Sequence, residues 1–353
     1  MLTDDQKISD LKIYDALFQA ATDLGALGRE NSKLSLLKRA IEINPTTAAI
    51  RVAFRSAVKL KEHQAARVYL AQMESLLSGS EKDIQWIASA KKSLRGMGID
   101  IKYLAARLEH RAAPAYEPIR GRICYLLHNS LPYSSGGYAT RAHGLAQGLT
   151  EKGYDLVCMT RPGFPLDTIP IDQAAVAPKD VIDGVTYHRT LTPARNTHRG
   201  LDYILQAADE LIVQFKNIRP EIVIAASNHL TSLPAQIAAR AVGIPFIYEV
   251  RGFWEVTRWS REPEYVNTAG YADQAALEAL SAKNADHVFT LTSAMADELV
   301  YRGVPRTLIS LLPNSCDPTR FTPRERDYEL ADRLGIPTSV PVIGYIGSFV
   351  QYE

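Results

Sequence analysis

The sequence of 353 residues has few cysteines, almost no net charge and no long apolar run. The cysteines Cys124, Cys158 and Cys316 are odd in number and far apart, so we expect small buried side chains in a reducing compartment, not disulfides. Forty basic residues against 39 acidic ones leave a net charge of +1. This balance argues against general nucleic-acid binding and against attachment of the whole surface to anionic membrane, although it allows a local basic patch.

The sequence also lacks the segments that direct a chain into or across a membrane. The N-terminal segment MLTDDQKISDLK is acidic and polar, whereas a signal peptide has a basic start and an apolar run. No stretch approaches the roughly 18 consecutive apolar residues of a membrane span. No spacing among the cysteines and the eight histidines matches a metal site. We expect a cytoplasmic protein without a metal or a transmembrane segment, which leaves open peripheral contact with the inner face of a membrane.

With 46% hydrophobic and 22% charged residues, the composition is that of a globular protein and excludes disordered and fibrous classes. The first hundred residues show helical periodicity and no convincing strand. Helices are predicted at 8–27, 33–43, 46–59, 63–77, 81–95 and 101–111. One stretch is similar to a tetratricopeptide repeat, a pair of antiparallel helices of about 34 residues. It consists of LLKRAIEINP, a helix, a short break at KLKEHQ and then AARVYLAQM. A generic helical bundle is an equally good interpretation, and both predict an all-helical module over residues 1–113.

The pattern then changes to short apolar runs that alternate with amphipathic helices. Residues 112–118 contain two prolines and are the best candidate for a linker. Strands are predicted at 122–127, 155–160, 185–191, 221–225, 245–250, 287–291 and 308–311, and helices at 138–152, 201–215, 231–242, 271–283 and 293–302. This alternation indicates a Rossmann-like, doubly wound parallel α/β domain over residues 119–325.

The last part of the sequence, residues 326–353, is predicted to be a linker followed by a strand at 342–346. A single buried parallel strand has no partner of its own. We therefore interpret this segment as the start of another domain that is otherwise absent, and we expect the chain to be a piece of a larger protein.

Ligands bind at the carboxyl ends of the strands in open α/β sheets, so the loops there are candidates for chemistry. Gly136 and Gly137 immediately precede a helix, where backbone N–H groups and the helix dipole favour an anion and glycine permits close approach. On these residues alone, a flexible turn with a helix start is the favoured explanation, because the pair matches neither the GxGxxG fingerprint nor a P-loop. Asn228 and His229 open a helix after a mid-domain strand, and the residues alone leave the role of His229 open.

Two later loops carry further candidates. The segment YEVRGFWEVTRW contains Arg251, Trp254 and Glu255, a combination of charges and an aromatic face that suits either a sugar ring or an interdomain packing surface. The segment LLPNSCDPTRF places Asn314 and Asp317 where they can cap backbone groups, and turn chemistry is the favoured explanation.

Taken in order, these segments closely resemble the N-terminal half of family-4 glycosyltransferases, which are retaining enzymes of the GT-B fold. The matching segments are the first strand with its Gly-Gly loop, the histidine after a mid-domain strand, YEVRGFWE, ADHVFTLTSAMADELVYRGVP, LLPNSCDPTRF and IGYIGSF. The likeness runs from about residue 122 to the end. The set of segments in this order is specific for the family, although no single motif is diagnostic.

The resemblance implies that this half mainly holds the acceptor and that a nucleotide-sugar lies in the cleft between two halves, without a metal ion. It implies a catalytic His229 that contacts the transferred sugar near the reacting carbon. The other implied roles are donor or phosphate binding by Gly136, Gly137, Gly347 and Ser348, acceptor or sugar binding by Asn228, Arg251, Trp254 and Glu255, and structural support near the cleft by Asn314 and Asp317.

The sequence also departs from the family pattern. The paired glutamates and the basic residues of the donor domain are not found, so we expect the chain alone to be inactive. Arg251 occupies a loop where many relatives have histidine. We expect a retaining hexosyltransferase that builds a surface polysaccharide. The main alternative is a protein-interaction module that uses the helical repeats, and an epimerase or a phosphorylase of the same two-halved fold fits the loops less well.

Overall fold

The computed structural model describes residues 4–76, 80–95, 100–109, 116–319, 321–345 and 347. Before the first strand, the described residues are helical, as predicted. The helices are α1 (Asp4–Ala26), α2 (Glu30–Ile43), α3 (Thr47–Leu60), α4 (His63–Ser75), α5 (Glu81–Arg95) and α6 (Ile101–Glu109). Helix α2 ends where Asn44-Pro45 prevents its continuation. Thr46 then begins α3 as its N-cap, because its hydroxyl accepts a hydrogen bond from the backbone N–H of Ala49.

The helical module, by which we mean α1 to α5, has a hydrophobic core of its own. Each of these helices packs on the preceding one, as in an array of helical repeats. Its core contains Leu37, Ile50, Phe54, Leu60 and Met73. Helix α6 does not belong to this core. Its buried residues Leu104 and Leu108 pack with the α/β domain, so the sequence pattern alone did not assign this helix to its packing partner.

The α/β domain contains one sheet in the described part of the chain. Its strands are β1 (Arg122–Leu127), β2 (Asp155–Thr160), β3 (Lys179–Ile182), β4 (Val185–His188), β5 (Ile222–Ala226), β6 (Phe246–Val250), β7 (His287–Thr290) and β8 (Ile309–Leu311). The strand order is β3-β4-β2-β1-β5-β6-β7-β8, and all pairs are parallel except β3 with β4. The Rossmann-like domain is therefore confirmed.

The helices of this domain lie between the strands in sequence. They are α7 (Gly137–Glu151), α8 (Gly200–Ile218), α9 (His229–Val242), α10 (Trp254–Trp259), α11 (Ala269–Lys283) and α12 (Ser293–Tyr301), and α13 (Tyr328–Arg333) follows β8. The core between sheet and helices contains Phe215, Val223, Phe246 and Tyr248. None of the helices in the described segments has the length and apolar composition that crossing a bilayer requires.

Two sequence predictions differ from the structure. Strand β3 was not predicted, although the turn Asp183-Gly184, with φ of 46° and 80°, is a typical hairpin signal that joins it to β4. The predicted strand at 342–346 is not formed over 341–345, because a strand exists only when it is paired. Position 346 lies outside the described residues, as do positions 110–115, which include most of the predicted linker.

The helical module is attached to the α/β domain by polar contacts. The backbone N–H of Ser32 donates to a carboxylate oxygen of Glu264 at 3.0 Å, and the N–H of Ala269, at the start of α11, donates to Glu62 at 3.3 Å. Next to the second contact, the backbone of α11 lies so close to the end of α3 that a Cβ on Gly270 would lie 3.0 Å from the carbonyl oxygen of Leu60. The turn between α3 and α4 is thereby fixed against α11.

Candidate functional site

The loops after β1, β5 and β6 meet at the carboxyl edge of the sheet, together with the first turn of α7. The ring of His128, directly after β1, lies 2.9 Å from the hydroxyl of Thr231 in α9. The same ring packs edge-on against Trp254, with centroids 4.9 Å apart. The indole N–H of Trp254 donates to the hydroxyl of Tyr138 at 2.9 Å. The sequence-predicted segments that carry Gly137, His229 and Trp254 are thus brought together.

His229 is the first residue of α9 and is held by a carboxylate of α11. Its backbone N–H and its ring Nδ1 lie 2.8 and 3.0 Å from the same oxygen of Glu278. The hydroxyl of Tyr248 donates to the second oxygen of this carboxylate. His229 and Glu278 are only 3% and 2% exposed, which fixes the ring in one orientation. With Nδ1 directed at the carboxylate, Nε2 is the nitrogen left for a ligand.

Asn228, which precedes His229, caps the same helix. Its side-chain oxygen accepts a hydrogen bond from the N–H of Leu230 at 3.1 Å, and the residue is 1% exposed. This capping explains an asparagine here without a ligand. A contact between Asn228 and the sugar stays a prediction.

Arg251 is engaged inside the protein. Its guanidinium donates to Glu249 at 2.8 Å and to the carbonyl oxygen of Tyr138 at 2.7 Å. Glu249 also accepts from Tyr125 at 2.6 Å and from Arg141 at 3.0 Å. Burial alone would raise the pKa of Glu249, but Arg251, Tyr125 and Arg141 outweigh it and hold the pKa below its ordinary value. The cation of Arg251 therefore has a structural partner, and its predicted contact with an acceptor stays a prediction.

Glu255 is also inside the protein. It is 0% exposed, and its carboxylate lies 2.6 Å from the guanidinium of Arg302 on α12. Burial raises the pKa of Glu255, and Arg302 offsets only part of this effect. Its neighbour Trp254 is half-buried and contacts Tyr138 and His128 at the carboxyl edge of the sheet. The predicted contacts of Trp254 and Glu255 with a sugar stay predictions.

Gly136 and Gly137 are exposed at the start of α7, and no side chain caps this helix. Neither glycine has a positive φ. A Cβ added to either would have no heavy-atom neighbour within 4 Å. The protein itself therefore does not require glycine here, whereas a ligand that lies close to the backbone would.

The remaining predicted residues lie near the end of the chain. The side-chain oxygen of Asn314 accepts from Arg141 at 2.9 Å. Asp317 accepts from the backbone N–H and the hydroxyl of the residue two positions later, which is turn chemistry. Gly347 lies in a bend, and Ser348 lies outside the described residues. The phosphate-binding roles of Gly347 and Ser348 stay predictions.

Several polar residues of this edge were not predicted from the sequence: the buried His128, Arg161, Glu249 and Glu278, and the partly buried Arg141. Two signals were available: a charged residue within a predicted buried strand, for Glu249, and a polar residue directly after a strand, for His128 and Arg161. Burial, with the nearby Arg161, Arg195 and His229, holds the pKa of His128 well below its ordinary value. Glu278 and Arg141 lie in helices and gave no such signal.

No three His, Cys, Asp or Glu side chains within the described segments come together as a metal site. Independence of a metal ion stays a prediction, because this observation does not test it.

Comparison with known proteins identifies the family of the chain. A family model described as "Glycosyl transferase 4-like domain" matches residues 136–315, slightly more than half of the chain. Solved chains that match include sucrose-phosphate synthase from Thermosynechococcus elongatus, at 10% identity and a TM-score of 0.35, over 61% of this chain and 95% of that one. No curated protein matches the sequence. The family match begins at Gly136 and contains His229, and the chain therefore belongs to the family of glycosyl transferase 4-like proteins.

Proposed function

We propose that the chain is the acceptor-side part of a retaining, metal-independent hexosyltransferase. It would act in the cytoplasm and transfer a sugar from a nucleotide-sugar to a glycan or lipid-linked acceptor of a surface polysaccharide. The observation that carries the proposal is the placement of His229, whose ring is oriented by Glu278 at the sheet edge where α7 begins with two exposed glycines. Family membership supports transfer of a sugar, and the site supplies the residues.

The proposed chemistry rests on the N-terminal ends of two helices, α7 and α9. Negative charge develops on the diphosphate as it leaves, and the uncapped N-terminus of α7 offers backbone N–H groups and a positive dipole for it. His229 would contact a hydroxyl of the transferred sugar through Nε2 and so position the reacting carbon. Retention would follow from attack on the same face of an oxocarbenium-like ion pair, with the donor phosphate accepting the acceptor's proton.

The test is sugar transfer by the gene product that carries this chain, followed by mass spectrometry with a panel of nucleotide-sugars. We expect His229→Ala to lower kcat by roughly 10²- to 10³-fold, because a fixed contact in the transition state is lost. His229→Asn keeps a hydrogen-bond donor beside Glu278, so it serves as a second variant if His229→Ala fails to fold. The matched control is His287→Ala, since His287 contacts Ser310 on the neighbouring strand and lies away from the site.

Full activity of folded His229→Ala and His229→Asn would refute the assigned role. Absence of transfer with every donor would favour the alternative function, an interaction module that binds a partner through the helical repeats. The structure favours the enzyme over this alternative, because the α3–α4 end of the helical module is turned toward the α/β domain and borders a cavity beside His229.

A further inference from the structure

A cavity of about 260 Å³ lies between the helical module and the α/β domain and reaches His229. Lys61, at the end of α3, forms one side of it together with Val58. The opposite side includes Arg195 and Arg199, which lie in the segment that precedes α8, and Asp273 on α11. Because both parts of the protein form its walls, the cavity exists only while the helical module is docked.

The cavity has an excess of positive charge. Arg195 shares the carboxylate of Asp167 with Arg161, at 2.7 Å in each case, so two guanidinium groups face one carboxylate. Arg199 is exposed and makes no ion pair within the described segments. Asp273, the acidic residue of the wall, lies 3.6 Å from His63. The wall therefore favours an anion.

Lys61 has an unfavourable backbone conformation and an unfavourable environment for its charge, and the fold explains neither. It has φ of 59° and ψ of 28°, the left-handed conformation in which helices usually end with glycine. Its ammonium group is also poorly solvated: burial lowers the pKa of Lys61, and Asp273 offsets only part of this. No ion pair within 4.0 Å connects Lys61 to another described residue. A ligand in the cavity would explain a lysine at this position.

We propose that this cavity binds a phosphate group of the glycosyl acceptor and that Lys61 and Arg199 recognise its charge. This inference rests on the proposed function and adds a substrate class to it. The cavity is at the small end of the roughly 300–1,000 Å³ of ligand pockets, which suits a phosphate and part of one sugar ring. The phosphate could belong to a sugar phosphate or to the headgroup of a lipid-linked glycan, since both present the same chemistry.

The first experiment is calorimetric titration of the 353-residue chain with glucose 6-phosphate, with glucose and glucuronate as reference ligands. We expect binding of glucose 6-phosphate alone and a loss of roughly 10- to 100-fold in Lys61→Gly, because a charge-assisted hydrogen bond disappears. Lys61→Gly relieves the left-handed conformation, so we expect its Tm to be unchanged or higher. Lys61→Arg keeps the charge, and Lys152→Gln, at the far end of α7, is the matched control outside the cavity.

A second arm separates the two sources of phosphate. If vesicles of phosphatidic acid bind and vesicles of phosphatidylcholine do not, and glucose 6-phosphate fails to bind, the phosphate belongs to a lipid-linked acceptor. The proposal is overturned if neither probe binds, if Lys61→Gly binds as well as the unchanged protein, or if glucuronate binds as tightly as glucose 6-phosphate. Failure of this inference is distinguishable from failure of the proposed function, because the proposed function is tested by sugar transfer in the His229 variants.

Discussion

Arg141 joins the buried carboxylate of Glu249 to the loop that leaves the last strand of the sheet. Its Nε donates to Glu249 at 3.0 Å, and its Nη2 donates to the carbonyl oxygen of Leu312 at 2.7 Å. Arg141 lies one turn inside α7, whose first residue is Gly137. One side chain therefore fixes both the start of α7 and the 312–314 loop to the core, and so sets the position of the proposed phosphate-binding end relative to the rest of the site.

Replacement of Arg141 by methionine should destabilise the domain strongly. The variant leaves Glu249 buried with Arg251 as its remaining cation, so we expect a cost of at most the roughly 3–5 kcal/mol that follows when a buried ion pair loses one partner. Lys91→Met is the control, because the pair Lys91–Glu74 is 54% and 39% exposed and such pairs contribute roughly 0–1 kcal/mol. Urea denaturation measures both variants. Equal losses of stability would contradict a special role for Arg141.

The sequence allowed the parallel strands to be located because each is a short apolar run between turns. It also placed Asn228 and His229 correctly at the start of a helix. It did not reveal the state of Arg251, which looked like a cation offered to a ligand. Glu249 and Arg251 are two positions apart, so they point to the same face of an extended chain and can pair there. That spacing is a local signal that the sequence analysis did not use.

The other partners were beyond the reach of sequence patterns. Glu249 binds Tyr125 and Arg141, which lie 124 and 108 positions earlier in the chain. The partner of His229 is Glu278, 49 positions later on a different helix. Only the order of the strands in the sheet brings these residues together, and a single sequence does not contain that order as a local feature.

Glu278→Gln should impair catalysis by changing the orientation of His229. The amide oxygen can still accept from the backbone N–H and the ring of His229, but the NH2 group in place of the second oxygen cannot accept from Tyr248 as the carboxylate does. We expect kcat for sugar transfer to fall by about 10-fold or more, since such a contact acts in the transition state, while the KM for the donor changes little. A variant with unchanged kcat, or one that alters only the donor KM, would argue that Glu278 is purely structural.

Glu30 should make the helical module sensitive to acid. Burial alone would raise its pKa, but Lys59 at 2.9 Å, Ser56 at 2.6 Å and Lys33 at 3.0 Å lower the pKa from 4.5 to about 2. A carboxyl group with a lowered pKa stabilises the folded state above pH 4.5, and this contribution is lost as the pH falls toward 2. The contribution is at most about 3 kcal/mol. Thermal unfolding between pH 5 and pH 2 should show a smaller loss of stability in Glu30→Gln than in the unchanged protein, and parallel curves would contradict this.

Gly270→Ala should weaken the attachment of the helical module. The new Cβ would lie 3.0 Å from the carbonyl oxygen of Leu60 and 3.3 Å from the ring of Tyr265, so the two parts must separate slightly. Overpacking of this kind costs roughly 1–3 kcal/mol. Gly144→Ala is the matched control in a helix, since its Cβ would meet nothing within 4 Å, and it should stabilise by roughly 0.5–1 kcal/mol. If the cavity depends on docking, Gly270→Ala should also weaken binding of glucose 6-phosphate.

Gly137→Ala should separate function from stability at the proposed phosphate-binding end of α7. The site has room for a methyl group, and alanine favours a helix, so we expect the Tm to stay constant or to rise slightly. A donor phosphate that lies against the backbone would clash with this methyl group, and kcat/KM should fall by at least about tenfold, or ~1.4 kcal/mol. Gly148→Ala, on the same helix but three turns away from its start, should keep full activity. Normal transfer by Gly137→Ala would mean that no ligand approaches this residue closely, and the phosphate would then have to be bound elsewhere along the edge of the sheet.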